Sequence, residues 1–175
     1  VRELRSKGWR ARVVDHMTES LLNNAVFPCD KVQHDSIDVL LFILIALMRA
    51  GITPCMWKRD VSKAFRRLPV RIAHLDFSWE VFVYDGVAYA AQHTGMPFGT
   101  TAAVYAWHRA GNFLMALVRR LCRAPAARFV DDFFGASREG VHWHGGRCLS
   151  FLAELVGLPC DPLKGAESCT QLVVL

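Results

Sequence analysis

The chain has 175 residues, of which 53% are hydrophobic, with mean hydropathy +0.20. That is enough for one domain-sized core, too little for two full domains, and excludes a disordered chain. A formal charge of +5 and a pI near 9.1 favour a polyanionic partner, since Lys and Arg that neutralise phosphates release condensed counterions.

In chain order, Arg2, Arg5, Lys7, Arg10 and Arg12 make a basic start, and a basic strand is predicted near Arg10 to Val14. Asp35 or Ser36 then caps an apolar helix that ends before Gly51 and is expected to be core. Its apolar run, Val39 to Met48, is about half of the ~20 residues that a bilayer span needs. Met56 to Asp60 reads as a buried strand, followed by a short helix over Ser62 to Phe65 that ends near Pro69. Trp79 to Tyr84 and Val87 to Gln92 flank Asp85-Gly86, a strong hairpin signal. Gly95-Met96-Pro97-Phe98-Gly99 forms a loop, and Thr100 opens a helix to about Cys122. Ala127 to Val130 and Phe133 to Ala136 make a tight hairpin, Trp143 to Val156 a helix, and Gly157 to Gly165 a loop carrying Lys164. Strands and helices from Met56 onward follow the order β-α-β-β-α-β, which predicts an α+β fold with a ferredoxin-like antiparallel sheet and helices on one face.

Two strings carry the chemistry. Phe129-Val130-Asp131-Asp132-Phe133-Phe134-Gly135 puts two carboxylates at the tip of an apolar hairpin, and Lys58-Arg59-Asp60-Val61-Ser62-Lys63-Ala64-Phe65 puts a third at the end of a strand. Mg2+ is held by one or two carboxylates and completed by waters and substrate phosphates. A pair of such ions stabilises both the attacking and the departing oxygen of a phosphoryl transfer. An Asp-Asp pair alone is more often a turn device, its side chains bonding nearby amides. Further basic clusters lie at Arg66, Arg67 and Arg71 and at Arg119, Arg120 and Arg123; each is equally a solvated face. The six cysteines, at 29, 55, 122, 148, 160 and 169, include no Cys-x-x-Cys pair and follow no signal peptide. They read as reduced, packed thiols of an intracellular protein, cytoplasmic or nuclear. His142, His144 and Cys148 make a poor zinc corner, lacking a partner pair.

Taken together and in order, these strings resemble the reverse transcriptases. Asp60-Val61-Ser62-Lys63-Ala64-Phe65 looks like the first palm motif, Gly95-Met96-Pro97-Phe98-Gly99 the second, Phe129-Val130-Asp131-Asp132 the third, and Leu158-Pro159-Cys160-Asp161-Pro162-Leu163-Lys164 the fourth. Arg10 to Asp15, with Ser20 and Asn23, is similar to the fingers segment before them. Phe98 stands where many members have Gln, and this Pro-Phe-Gly form resembles retrotransposon enzymes of the tyrosine-recombinase (DIRS-like) type. Phe129 replaces a frequent Tyr, keeping the ring and losing the hydroxyl.

The resemblance implies an RNA-directed DNA polymerase region, with fingers over 1–54 and palm over 55–175. Asp60, Asp131 and Asp132 would be catalytic and would hold two Mg2+, for which Mn2+ can substitute, with the Val61 carbonyl lending a further oxygen. Arg10 or Arg12 would meet the triphosphate and Lys164 the pyrophosphate. Phe65 would lie beneath the sugar, with Phe98 and Gly99 lining the nucleotide site and Lys63 a weaker candidate. The implied partners are an RNA or DNA template with its primer, deoxynucleoside triphosphates and further domains of one polyprotein, including a thumb. Two alternatives stay open: a viral RNA-dependent RNA polymerase palm, and a decayed relic that only binds nucleic acid. Intact Asp60, Asp131 and Asp132 argue against the relic, and Phe65, where that polymerase class commonly has an acid, argues against the first.

Overall fold

A computed structural model describes residues 2–5, 8–11, 17 and 21–168, the first two stretches through their backbone. The elements are β1 (Arg2–Arg5), β2 (Gly8–Ala11), α1 (Ile37–Arg49), β3 (Pro54–Asp60), β4 (Trp79–Tyr84), β5 (Val87–Gln92), α2 (Thr101–Leu121), β6 (Ala126–Phe129), β7 (Asp132–Arg138), α3 (Trp143–Leu155) and β8 (Ala166–Ser168). Short 3-10 helices lie at Leu22–Ala25, Ala64–Arg67 and Ile72–Phe77. They form two compact units, one of Val1–Lys31 with Phe65–Ala106, the other of Val32–Ala64 with Trp107–Leu175.

In the first unit, β1 and β2 pair antiparallel, Arg2 opposite Ala11. Arg12 and the remainder of the predicted basic strand lie outside the described residues, as does the side chain of Arg10. β4 and β5 form the expected hairpin, closed by Tyr84 opposite Val87. Asp85 and Gly86 both have positive φ, 51° and 74°, the combination that lets a two-residue turn follow the twist of its strands. The 93–100 loop is fastened by Met96 N–H donating to the Leu68 carbonyl at 2.8 Å. Gly95 is required there, because a Cβ would stand 2.2 Å from the Arg66 carbonyl oxygen. Asn23 ties the loop to the start of α2, donating to the Gly99 carbonyl at 3.0 Å and accepting from the Thr101 amide at 2.8 Å. Thr100 caps the helix as predicted, its hydroxyl accepting from the Ala103 amide at 3.2 Å.

The second unit holds a four-stranded sheet in the order β6-β7-β3-β8, with every neighbouring pair antiparallel. With α2 between β3 and β6 and α3 between β7 and β8, this is the predicted β-α-β-β-α-β arrangement. Alternation along the strands puts Trp57, Arg59, Arg128, Phe133 and Gly135 on one face. There α3 comes so close that a Cβ on Gly145 would meet Trp57 at 2.3 Å, and α2 so close that one on Gly111 would meet Arg128 at 2.8 Å. The other face carries Phe134 and Ala127, on which Leu40 of α1 packs. The expectation of helices on one face therefore holds for α2 and α3, while α1 lies across the sheet.

Ser36 caps α1, accepting from the Asp38 amide at 3.2 Å, and Gly51 follows it with φ 71°. The helix is less buried than its composition suggests. Only Leu40 is fully enclosed, and Phe42 and Met48 are 73% and 61% exposed. Hydropathy records what side chains are, not whether a neighbour covers them. The reading of six reduced thiols also needs correction: Cys29, Cys122, Cys148 and Cys160 are free, whereas the fully buried Cys55 is disulfide-bonded. Spacing along a chain does not say which thiols meet in space. Among the described residues, no helix is long and apolar enough to cross a membrane.

Candidate active site

Register alone brings the first two acids together. β3 ends at Asp60 and β7 begins at Asp132, and the two are direct partners in the ladder. Asp131 falls between them in the two-residue turn Val130-Asp131 that joins β6 to β7, closed by Phe129 opposite Asp132. Three carboxylates from two distant strings thus converge at one end of one sheet.

Their charge is concentrated and only partly offset. Asp60 is 4% exposed and accepts from Lys164 Nζ, while Lys58 Nζ lies 3.1 Å from Asp132 Oδ1. The carboxyl of Asp131 is pushed up, first by burial and then by the negative charges of Asp60 and Asp132, against a backbone hydrogen bond and Lys164. Lys58 was not singled out from the sequence, although it precedes Asp60 by two residues and so shares its face.

The Lys164 loop is stitched to the end of β3. Ser62 N–H donates to the Pro159 carbonyl at 2.9 Å, and Asp161 N–H to the Asp60 carbonyl at 2.8 Å. Between those bonds Val61 and Cys160 form an antiparallel bridge. Because the bonds belong to the residues flanking Val61, its own carbonyl turns away from the loop, toward the edge along which β7 runs. Asp161 shapes the final turn, its carboxylate accepting from the Leu163 amide at 2.9 Å.

Val130 has φ 51°, a left-handed conformation that costs a β-branched residue about 1–2 kcal/mol. Val130→Asn is expected to raise the melting temperature by about 2–4 °C, as a gain of about 1 kcal/mol would for a chain of this size; an unchanged melt would show that the turn is unstrained. What holds this turn is not visible in the local sequence. Its carbonyl accepts from Trp107 Nε1 at 2.9 Å and from the guanidinium of Arg128, which is 2% exposed. Arg128 has its pKa lowered, first by burial, with Asp35 and Asp131 opposing. A strand arginine read as part of a basic composition is here an internal structural group.

Phe65 and Phe98 belong to the first unit, where their rings meet edge to face with centroids 5.7 Å apart. Phe65 is half-buried and Lys63 exposed, with φ 56°. His144 Nε2 lies 3.1 Å from the Cys122 carbonyl, and Cys148 Sγ lies 3.8 Å from the same ring.

Among the described residues no group of three or more His, Cys, Asp or Glu side chains is set to hold a metal ion, the aspartates included. Lys164 and Lys58 occupy the oxygens of Asp60 and Asp132 instead. An all-oxygen donor set and two ammonium groups standing where cations are wanted fit Mg2+ in charge and ligand type.

Neither a family model nor a curated protein matches the sequence. The fold is shared with solved structures. That of the foamy viral protease-reverse transcriptase in complex with double-stranded DNA covers 94% of this chain at TM-score 0.69 and 14% identity. That of the prototype foamy virus protease-reverse transcriptase covers 94% at TM-score 0.65 and 14% identity. The chain spans 26% and 20% of those two proteins.

Proposed function

We propose that this chain is the fingers and palm region of an RNA-directed DNA polymerase that performs templated nucleotidyl transfer, and that it derives from a retroelement of the Pro-Phe-Gly, DIRS-like kind. The observation that carries this reading is the pairing of Asp60 with Asp132, with Asp131 in the turn beside them and Lys164 on Asp60. The reverse transcriptase-like fold supports it. Residues 1–54 and 55–175 keep the names fingers and palm as part of the proposal.

Asp60, Asp131, Asp132 and the Val61 carbonyl would hold two Mg2+, which when bound supply positive charge to the attacking 3′-oxygen and the departing pyrophosphate. The protein's own part is positional. Burial of Asp60 and strain at Val130 fix the carboxylates before substrate arrives, so that little reorganisation is needed during reaction. Lys164 would exchange its bond with Asp60 for a phosphate oxygen of the incoming deoxynucleoside triphosphate, to which it presents a mobile point charge. Arg10 or Arg12 would meet the same triphosphate with a forked donor set. A primer on an RNA or DNA template is the remaining partner.

Phe65 would exclude a 2′-hydroxyl by bulk, with the Phe98 ring packed edge to face against it and Gly99 lining the same nucleotide site. Phe65→Ala is expected to lower the preference for deoxynucleotides over ribonucleotides by ten-fold or more, roughly the effect of one side chain's steric exclusion. Unchanged sugar selectivity in competition assays would remove Phe65 from this role.

Primer extension by the full-length protein with Mg2+, on RNA and on DNA templates and beside Asp131→Ala, tests the whole reading. Extension on RNA that vanishes in the variant is the expected result. A folded protein that binds nucleic acid and extends no primer would favour the relic. Incorporation restricted to ribonucleotides would favour an RNA-dependent RNA polymerase.

A further inference from the structure

Building on that reading, we infer that Arg128 is a positioning residue, its buried guanidinium clamping the Val130 turn and thereby setting where Asp131 and Asp132 stand. Nη1 of Arg128 donates to the Val130 carbonyl, while Nη2 donates to Asn112 Oδ1 at 2.8 Å and lies 3.0 Å from His108 Nδ1. Trp107 Nε1 gives the same carbonyl its second donor, and the Val130 amide reaches His34 Nδ1 at 3.4 Å. The His34 ring in turn packs 5.4 Å from both His108 and Phe129. Both backbone polar groups of one strained residue are therefore engaged by side chains from α2, β6 and the loop before α1. A left-handed valine persists only where its surroundings over-determine it, and such strain concentrates at functional turns.

A buried charge is costly unless its hydrogen bonds are made. Surface arginines would supply positive charge without that cost, so charge alone does not explain Arg128. Its planar fork does, because it reaches α2 and the turn at once. Gly111 makes the seat. Glycine is disfavoured inside a helix, yet a Cβ here would stand 2.8 Å from both Cζ and Nε of Arg128.

The test compares Arg128→Lys, Gly111→Ala and the double variant with Leu149→Ala, a core substitution on α3 that lowers stability without touching the turn. Amide hydrogen exchange over residues 126–138, each protein held at the same interval below its own melting temperature, should be roughly tenfold faster in both single variants than in the control. Gly111→Ala should add little to Arg128→Lys, since both act through one guanidinium. Primer extension by Arg128→Lys should lose kcat with KM for the nucleotide unchanged. Exchange no faster than in Leu149→Ala, or fully additive effects of the two substitutions, would overturn the clamp. Mn2+ titration of the unsubstituted protein separates the two readings. A protein that neither binds Mn2+ nor extends a primer refutes the polymerase assignment, and the exchange data decide the clamp independently.

Discussion

Asp131→Asn is expected to reduce primer extension by about 10^3-fold or more while making the metal-free protein more stable at neutral pH. The first effect follows from the several kcal/mol of charge stabilisation that a bound metal supplies to a phosphoryl transfer, each 1.36 kcal/mol being about tenfold in rate. Asn keeps the shape and loses the anionic oxygen that a divalent ion needs. The second effect follows from the raised pKa of Asp131 in the folded protein, caused first by burial and then by Asp60 and Asp132. A carboxyl raised on folding favours the native state in its protonated form. That contribution is complete below the unfolded value of about 3.9 and is lost as pH rises through the folded value. Melting temperatures of the two proteins without metal should therefore agree near pH 4 and diverge toward pH 7, the variant being higher. Added Mg2+ should close the gap by stabilising only the unsubstituted protein, as a ligand that binds the native state does. Equal melts across that pH range would show that Asp131 carries no penalty, and extension at the unsubstituted rate would remove it from the metal site.

How much of this was legible depends on whether the cause was local. The Asp85-Gly86 hairpin was readable because two adjacent residues determine the turn, and α2 because its cap, Thr100, immediately precedes it. Asp60, Asp131 and Asp132 were readable as a group because the two strings that carry them resemble motifs of one family, and the register of β3 with β7 sets Asp60 opposite Asp132. What depended on distant neighbours was hidden. The apolar composition of α1 suggested core, yet only Leu40 finds a partner surface that encloses it. Cys55 and Arg128 are typical residues in sequence, and only the folded chain makes one a half-cystine and the other an internal clamp. Lys58 lay in plain view two residues before Asp60, but its partner Asp132 is 74 positions away.

Gly135 joins the two kinds of information. It closes the string that carries Asp131 and Asp132, and its role becomes clear only in the sheet, where it pairs with Trp57 and Ala126. A Cβ there would lie 2.2 Å from the Pro125 carbonyl oxygen and 2.7 Å from Trp57 Cζ2. The indole cannot retreat, because Trp57 is fully buried and a Cβ on Gly145 would already meet its Nε1 at 2.3 Å. Gly135→Ala must therefore move backbone at the entry to β6 or the largest side chain of the core. The expected cost is about 3 kcal/mol, at the upper end for overpacking, which in a chain of this size lowers the melting temperature by roughly 6–12 °C. Activity should fall further than stability alone requires, since the displaced strand is the one that sets Asp132 opposite Asp60. Trp57→Phe, which removes the ring atoms nearest the new methyl, should rescue Gly135→Ala only in part, because the contact with Pro125 remains. Full rescue would place the whole conflict at the indole, and a melt within 1 °C or so of the unsubstituted protein would show that the sheet accommodates the methyl group without strain.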